Sequence, residues 1–123
     1  PGEQPFSRVV EYELDHENGT AKELWSWDGG TPKAYSPIVG DIDRLENGNH
    51  LITDGAVFGG TVHEPAGSRP HFSGRIREVV GTDEPEIVWE MIVGNPDDID
   101  LQGWFIYRSI RIDSLYPPHV QPL

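Results

Sequence analysis

Two unrelated motifs recur in this chain at one common offset of 67 residues. Segment 7–12 (SRVVEY) returns at 74–79 (GRIREV), and segment 44–45 (RL) returns at 111–112 (RI). Regular repeats of about 20–50 residues are typical of solenoids and propellers, and a longer period fits a four-stranded propeller blade with an extra loop. The chain holds fewer than two such repeats. The repeat therefore predicts one full blade with parts of two neighbouring blades.

The composition favours a small β-rich domain and disfavours anionic partners. Fourteen glycines and 11 prolines among 123 residues make turns frequent and long helices unfavourable. The formal net charge of −12 repels nucleic acid and anionic membranes. No apolar run approaches the roughly 18 residues of a membrane span. We therefore expect no nucleic-acid partner and no membrane span, and the absence of cysteine excludes disulfides and thiolate metal sites.

Seven short segments carry the pattern of β-strands, and none shows the 3.6-residue periodicity of a helix. Asn-Gly pairs at 18–19 and 47–48 supply tight turns, because these residues accept positive φ angles. Residues 55–73 are predicted to form a long loop rich in glycine and proline. The predicted strands are 7–14, 21–27, 37–45, 50–54, 74–80, 86–92 and 103–112. The pattern predicts an all-β fold of antiparallel, propeller-type blades within a single unit, 1–123.

The order of the predicted strands suggests how the chain divides into blades. The first hairpin is interpreted as the outer half of one blade, and the next two hairpins as a complete blade. Segment 103–112 is interpreted as the innermost strand of the following blade. Because a blade buries its faces against its neighbours, a unit this short leaves two faces open. We therefore expect either a fragment completed by other blades of a longer protein, or self-association of several copies. A small stand-alone sandwich that oligomerises is a third possibility.

The four tryptophans are interpreted as packing residues between blades, since large aromatic side chains suit half-buried sheets. Trp89 falls on the predicted outer strand of the complete blade, and Trp104 opens the predicted inner strand of the next blade. Both are predicted to be substantially buried. Trp104 is expected to be the more buried of the two, because inner strands are shielded on both faces.

Several motifs follow one another along nearly the whole chain, and no one of them is specific by itself. They are 7–15 (SRVVEYELD), 24–27 (LWSW), 35–37 (YSP), 44–52 (RLENGNHLI), 74–79 (GRIREV), 88–90 (VWE) and 107–112 (YRSIRI). In this order and spacing they resemble the C-terminal blades of bacterial and archaeal arylsulfate sulfotransferases.

This resemblance implies a six-bladed propeller that moves a sulfuryl group from a phenolic sulfate to another phenol. The family does so by ping-pong chemistry through a sulfohistidine and without a nucleotide cofactor, so no cofactor is expected. The nucleophile lies in a Gln-His-Asp motif just upstream of the stretch that matches Ser7, and a second motif reads His-x-Asn. We expect both motifs to lie outside this chain, which would then be inactive alone. The resemblance also implies a periplasmic or secreted location.

Tyr107 and Arg108 are the candidate substrate-binding residues, because they fall midway along the predicted inner strand 103–112. The resemblance places a tyrosine of similar context near the C-terminal end of the active-site wall. A tyrosine hydroxyl donates to a sulfate oxygen, and a guanidinium neutralises sulfate charge. The alternative interpretation is that Tyr107 packs in the core and that Arg108 forms a surface ion pair.

Histidines and aspartates offer weaker candidates. His63 and His71 flank the predicted 55–73 loop, where two imidazoles and a carboxylate are able to bind a metal ion. A polar surface loop is the simpler interpretation, so no metal site is assigned. His50 follows a tight turn and is expected at a solvated strand position.

Three aspartates, Asp41, Asp43 and Asp54, lie on the predicted inner hairpin. Because inner strands line the central channel of a propeller, carboxylates there are suited to coordinating a hard cation. Solvated strand ends are the preferred interpretation of all three.

Overall fold

A computed structural model describes residues 5–30, 33–58, 72–94 and 103–113. These ranges contain two antiparallel sheets and no helix. The strands are β1 (Val9–Asp15), β2 (Thr20–Trp27), β3 (Gly40–Arg44), β4 (His50–Phe58), β5 (Phe72–Val79) and β6 (Ile87–Val93). Strands β1 and β2 form a hairpin, and the other four form one sheet in sequence order, β3-β4-β5-β6. The predicted all-β, antiparallel class is confirmed.

The two predicted Asn-Gly turns are present, and each places its glycine at positive φ. Gly19 has a φ of 64° between β1 and β2, and Gly48 has a φ of 85° between β3 and β4. The Asp15 carboxylate accepts the backbone N–H of Glu17 at 3.0 Å and that of Asn18 at 3.1 Å, which fixes the first turn at the end of β1. Local sequence therefore determines both hairpins.

The predicted 55–73 loop is wrong at both ends, because β4 continues to Phe58 and β5 begins at Phe72. The register of β4 on β5 shifts between Asp54 and Val57, and the ladder resumes with Val57 opposite Ser73. This bulge admits extra residues without ending the strands. Residues 59–71 lie outside the described residues, and so do the hypotheses about His63 and His71.

The predicted last strand is also wrong, since residues 103–112 form no strand. Two backbone hydrogen bonds attach this segment to the sheet: Trp104 N–H donates to Phe72 O at 3.0 Å, and Ile106 N–H donates to Gly55 O at 2.9 Å. A Cβ built on Gly74 would lie 2.4 Å from the Ile106 side chain. The segment therefore lies across a face of the sheet at a glycine, instead of pairing along a strand.

The four-stranded sheet has two faces that differ in character, because successive side chains alternate between them. The first face carries four cross-strand neighbours, one from each strand: Ile42, Ile52, Arg77 and Glu90. This face packs on the β1–β2 hairpin. The main core lies there, with Trp27, Ile52 and Val79 buried against Val9, Trp25 and Ile42. The second face carries the next set of cross-strand neighbours: Asp41, Thr53, Ile76 and Met91. Segment 103–112 lies over this face.

The predicted burial of Trp89 and Trp104 is wrong. Trp104 is 53% exposed and Trp89 is 45% exposed, whereas Trp27 in the first-face core is only 8% exposed. Trp104 begins a segment that lies on the surface of the sheet, which leaves about half of this residue exposed. Trp89 lies on the edge strand β6, whose second face is only partly covered by segment 103–112.

These exposures predict which large-to-small substitutions destabilise the fold. Ile52 is 2% exposed in the first-face core, so Ile52→Ala is expected to lower the free energy of unfolding by about 2–5 kcal/mol. Trp104→Ala is expected to cost clearly less, because half of its surface is already in water. Urea melts followed by far-UV circular dichroism compare the two variants. A larger loss for Trp104→Ala would contradict the surface placement of segment 103–112.

Candidate functional site

The two candidate substrate-binding residues lie next to each other on segment 103–112 but have different surroundings. The Tyr107 side chain is 80% exposed, so the alternative interpretation of Tyr107 as a core residue is wrong. Arg108 places its Nε 2.8 Å from Asp41 Oδ2, and its Nη2 donates to Asp43 Oδ1 at 3.2 Å. The charges of Asp41 and then Asp43 raise the pKa of Arg108 above its ordinary value. The two carboxylates therefore hold the Arg108 guanidinium in one orientation.

The strand geometry of β3 explains this orientation. Asp41 and Asp43 are two residues apart, so both carboxylates point to the second face, where Arg108 meets them. In the described part of the chain, no group of three or more histidines and carboxylates is arranged to hold a metal ion. Asp41 and Asp43, which suggested a cation site, instead bind Arg108. The cluster formed by these three side chains has a net charge of −1.

Asp54 lies on the opposite face and is only 5% exposed, so its interpretation as a solvated strand end is wrong. Its Oδ2 accepts Arg75 Nε at 3.2 Å and Arg77 Nη2 at 2.6 Å. Arg77 also donates through Nη1 to Gly29 O at 3.2 Å, and its guanidinium lies 4.4 Å from the centre of the Trp27 ring. Burial lowers the pKa of Arg77, and the Asp54 charge opposes that shift. The cluster ties the loop after β2 to the centre of the sheet.

Sequence reasoning missed this buried cluster, although a signal for it exists. Arg75 and Arg77 are two residues apart in a predicted strand, so they share a face. Asp54 occupies the neighbouring strand, directly opposite Arg75 in the register. Because an unpaired charge inside a sheet is very costly, two arginines on a buried face require an opposite charge on the neighbouring strand, and Asp54 is available there.

A second cluster joins the β1–β2 hairpin to the sheet through His50, which is 3% exposed. The expectation of a solvated His50 is therefore wrong. Its Nε2 lies 3.0 Å from Glu11 Oε2, and its ring stacks on Trp25 with centroids 4.2 Å apart and planes inclined by 9°. Arg44 Nη1 donates to Glu11 Oε1 at 2.7 Å. The hydrogen bond from His50 is the main reason why the pKa of Glu11 lies below its ordinary value.

A third cluster surrounds Glu78 on the second face. Asn49 Nδ2 donates to its carboxylate at 2.7 Å, Asn47 Nδ2 donates at 3.0 Å, and Arg111 Nη2 donates from segment 103–112. The bonds from Asn49, then Asn47, then Arg111 lower the pKa of Glu78 from 4.5 to about 2. Glu78 thus links the β3–β4 turn to the segment that carries Tyr107.

A groove of about 490 Å³ runs along the second face between β6 and segment 103–112. Ile76, Trp89 and Met91 form its floor and wall on the sheet, and residues 109–111 form its other side. Its volume lies in the range of small-molecule sites, and its lining is mainly apolar. Tyr107 does not line this groove.

The letters of the second family motif, His-x-Asn, occur at His16-Glu17-Asn18, which corrects the expectation that both motifs lie outside the chain. The structure places these three residues in the exposed turn between β1 and β2. Asn18 Nδ2 donates to Asp15 Oδ2 at 2.7 Å, as expected of a residue that builds a turn. This match of letters therefore has a local structural explanation.

Comparison with known proteins identifies the class to which these antiparallel sheets belong. The model of the family described as "Arylsulfotransferase (ASST)" matches residues 2–97. The match covers most of the chain, so the chain belongs to the arylsulfotransferase family, and the predicted family is confirmed. Neither the search of curated proteins nor that of solved structures found a significant match. No helix among the described residues is long and apolar enough to cross a membrane.

The depressed pKa of Glu78 predicts a pH dependence of stability. Its carboxyl pKa is about 2 in the folded chain and about 4.5 in the unfolded one, so its contribution is complete above pH 4.5. The contribution is lost as the pH falls from 4.5 toward 2. Glu78→Gln is therefore expected to remove part of the acid sensitivity of the parent in this window.

The effect is measured by urea melts at several pH values from about 2 to about 7, a range that includes both pKa values of Glu78. Glu46→Gln is the matched control, because Glu46 is an exposed residue of the same β3–β4 turn. An acid profile of Glu78→Gln that is identical to those of the parent and the control would contradict the assignment.

Proposed function

We propose that this chain forms the C-terminal part of a β-propeller in an arylsulfotransferase-like protein. The parent protein transfers a sulfuryl group from an aryl sulfate to a phenol through a sulfohistidine that lies outside this chain. In this proposal the sheet β3–β6 is one blade and the β1–β2 hairpin is the outer half of the preceding blade. Segment 103–112 stands where the next blade begins. Family membership supports the reaction class.

One structural observation carries the architectural part of the proposal. The sheet has its four strands in sequence order and is covered on both faces by other parts of the same chain. The hairpin packs on the first face through the His50 and Asp54 clusters. Segment 103–112 lies on the second face through Arg108 and Arg111. A meander of four strands that is held between neighbours is the packing that a propeller blade requires.

Within that wall, Tyr107 and Arg108 are proposed to contact the aryl sulfate. The exposure of Tyr107 leaves its hydroxyl available to donate to a sulfate oxygen. Arg108 carries a positive charge at neutral pH, as arginines do, and Asp41 and Asp43 fix the position of its guanidinium. The two carboxylates pair with Nε and Nη2 of Arg108. No carboxylate among the described residues pairs with Nη1, and we propose that Nη1 faces the sulfate.

The proposal predicts that this chain alone does not turn over aryl sulfates, since covalent catalysis without its nucleophile loses most of its rate. The chain is incubated with 4-nitrophenyl sulfate and a phenol acceptor, and nitrophenol release is followed by absorbance. No release above the buffer control is expected. Release that disappears when any one of the five histidines is replaced would contradict the proposal.

The proposal also predicts that the chain binds aryl sulfate weakly and through Tyr107. Tyr107→Phe is expected to weaken binding of 4-nitrophenyl sulfate by about threefold or more, because it removes one hydrogen bond to the anion. Equilibrium dialysis measures the affinity. Tyr12→Phe is the matched control, since Tyr12 is an exposed tyrosine on β1. Equal affinities for the Tyr107→Phe and Tyr12→Phe variants would remove Tyr107 from the site.

A second candidate function is a non-catalytic binding or assembly module built from the same blades. The exposed apolar side chains of Trp89, Met91 and Ile110 favour it, as does the net negative charge around Arg108. Exposed apolar surface of this kind promotes association, either of several copies or with further blades. The binding experiment separates the two candidates, because an assembly module shows no specific affinity for the aryl sulfate.

A further inference from the structure

The same tripeptide, Glu-Asn-Gly, occupies the turns of two hairpins. Residues 17–19 lie in the turn between β1 and β2, and residues 46–48 lie in the turn between β3 and β4. The glycine has a positive φ in both turns, and Asn18 and Asn47 are both exposed. Because local sequence and exposure are alike, any difference in reactivity between Asn18 and Asn47 arises from their contacts.

An asparagine that precedes a glycine is prone to lose its side-chain amide without an enzyme. The glycine backbone nitrogen attacks the asparagine Cγ and gives its proton to solvent base, a succinimide ring closes, and Nδ2 leaves as ammonia. Water then opens the ring at either carbonyl and yields aspartate or isoaspartate. Glycine favours the attack because no Cβ crowds its nitrogen. The reaction requires a free glycine N–H and a side-chain amide that is able to rotate toward it.

The contacts of the β3–β4 turn oppose each of these requirements. The attacking group is occupied, since Gly48 N–H donates to Leu45 O at 2.9 Å. The amide is held at both ends: Asn47 Oδ1 accepts the backbone N–H of Asn49 at 3.0 Å, and Asn47 Nδ2 donates to Glu78 at 3.0 Å. Attack on Cγ therefore requires that three hydrogen bonds break.

The contacts of the β1–β2 turn are weaker obstacles. Asn18 Nδ2 donates to Asp15 Oδ2 at 2.7 Å, and this bond competes with water because Asn18 is exposed. Asp15 also accepts the backbone N–H of Asn18 at 3.1 Å, which leaves the side-chain rotation of Asn18 unrestricted. In the described part of the chain, Gly19 N–H donates to no backbone oxygen outside the strand ladders. Rotation of the amide toward Gly19 breaks one exposed hydrogen bond.

We infer that Asn18 is a site of spontaneous deamidation in the folded protein and that the contacts of Asn47 protect it from the same reaction. The inference is independent of sulfuryl transfer, because it concerns a covalent modification of the β1–β2 turn. Its only co-reactant is water.

The product changes the turn in two ways. Deamidation removes the Nδ2 donor, and the bond from this donor is the main reason why the pKa of Asp15 lies below its ordinary value. A second carboxylate then stands beside Asp15. Isoaspartate in addition inserts a methylene into the main chain between Asp15 and Thr20, whose pairing closes the hairpin. The element affected is the hairpin that covers the first face of the sheet.

The test follows both sites in one sample of the intact chain in mildly alkaline buffer. Trypsin cleaves after Arg8, Lys22 and Arg44, so Asn18 and Asn47 fall in different peptides. Mass spectrometry measures in each peptide the mass change that accompanies loss of ammonia and uptake of water. Deamidation at Asn18 is expected to be at least about tenfold faster than at Asn47, because more hydrogen bonds must break at the second site.

The unfolded chain is the matched control, since the two tripeptides are identical. In concentrated guanidinium chloride the contacts of both turns are lost, and the two rates are expected to agree within about threefold. This comparison involves no substitution, so the difference between folded and unfolded chain reports the contacts alone.

A substitution tests the attacking group. Gly19→Ala is expected to slow deamidation at Asn18 by about threefold or more, because a Cβ crowds the nitrogen, and to leave Asn47 unchanged. Far-UV circular dichroism verifies that the variant keeps the parent fold.

Three results would overturn the inference. The first is an Asn18 that stays intact in the folded chain while both sites react in the unfolded one. The second is a rate at Asn47 equal to or above that at Asn18 in the folded chain. The third is a ratio of rates that unfolding leaves unchanged, which would assign the selectivity to local sequence. None of these results depends on aryl sulfate binding, so this inference and the proposed function fail separately.

Discussion

The structure depends on how the two faces of one four-stranded sheet are covered, because a sheet with apolar side chains on both faces is not stable in water. A glutamate–arginine pair fixes the cover on each side. Glu11 and Arg44 join the β1–β2 hairpin to the first face, and Glu78 and Arg111 join segment 103–112 to the second face. The ion pairs themselves are partly exposed and contribute little energy alone. Their importance is that they set the position at which apolar side chains meet.

The first face shows what cover by a whole hairpin achieves. His50, Asp54 and Arg77 are all buried there, and each is hydrogen-bonded to a group of opposite charge or polarity. Buried charges of this kind contribute little net stability, but removing one partner is very destabilising. They therefore restrict the hairpin to one position on the sheet. On the second face, segment 103–112 is the cover that the described residues supply, and Trp89 there remains half exposed.

Much of the secondary structure follows from local sequence, and the candidate site follows only in part. The Asn-Gly turns and the alternating strands were predictable, because both depend on residues that are adjacent in the chain. The ends of β4 and β5 were not, since a bulge after Asp54 prolongs the ladder by long-range pairing. The ion pair of Arg108 was anticipated as a surface contact, but its two partners on β3 were not. Tyr107 remains a prediction as a substrate contact.

The sequence by itself determined the all-β class, the hairpins and the arylsulfotransferase family, since each rests on short motifs read in order. Only the tertiary structure decided what is buried. Tryptophan is a residue type common in cores, yet Trp89 and Trp104 are half exposed. Charged and polar residues are common at surfaces, yet His50, Asp54 and Arg77 are buried. The reason is physical: burial depends on which elements cover a face of the sheet. That is a property of contacts between residues far apart in the chain, and no local pattern of side chains encodes it.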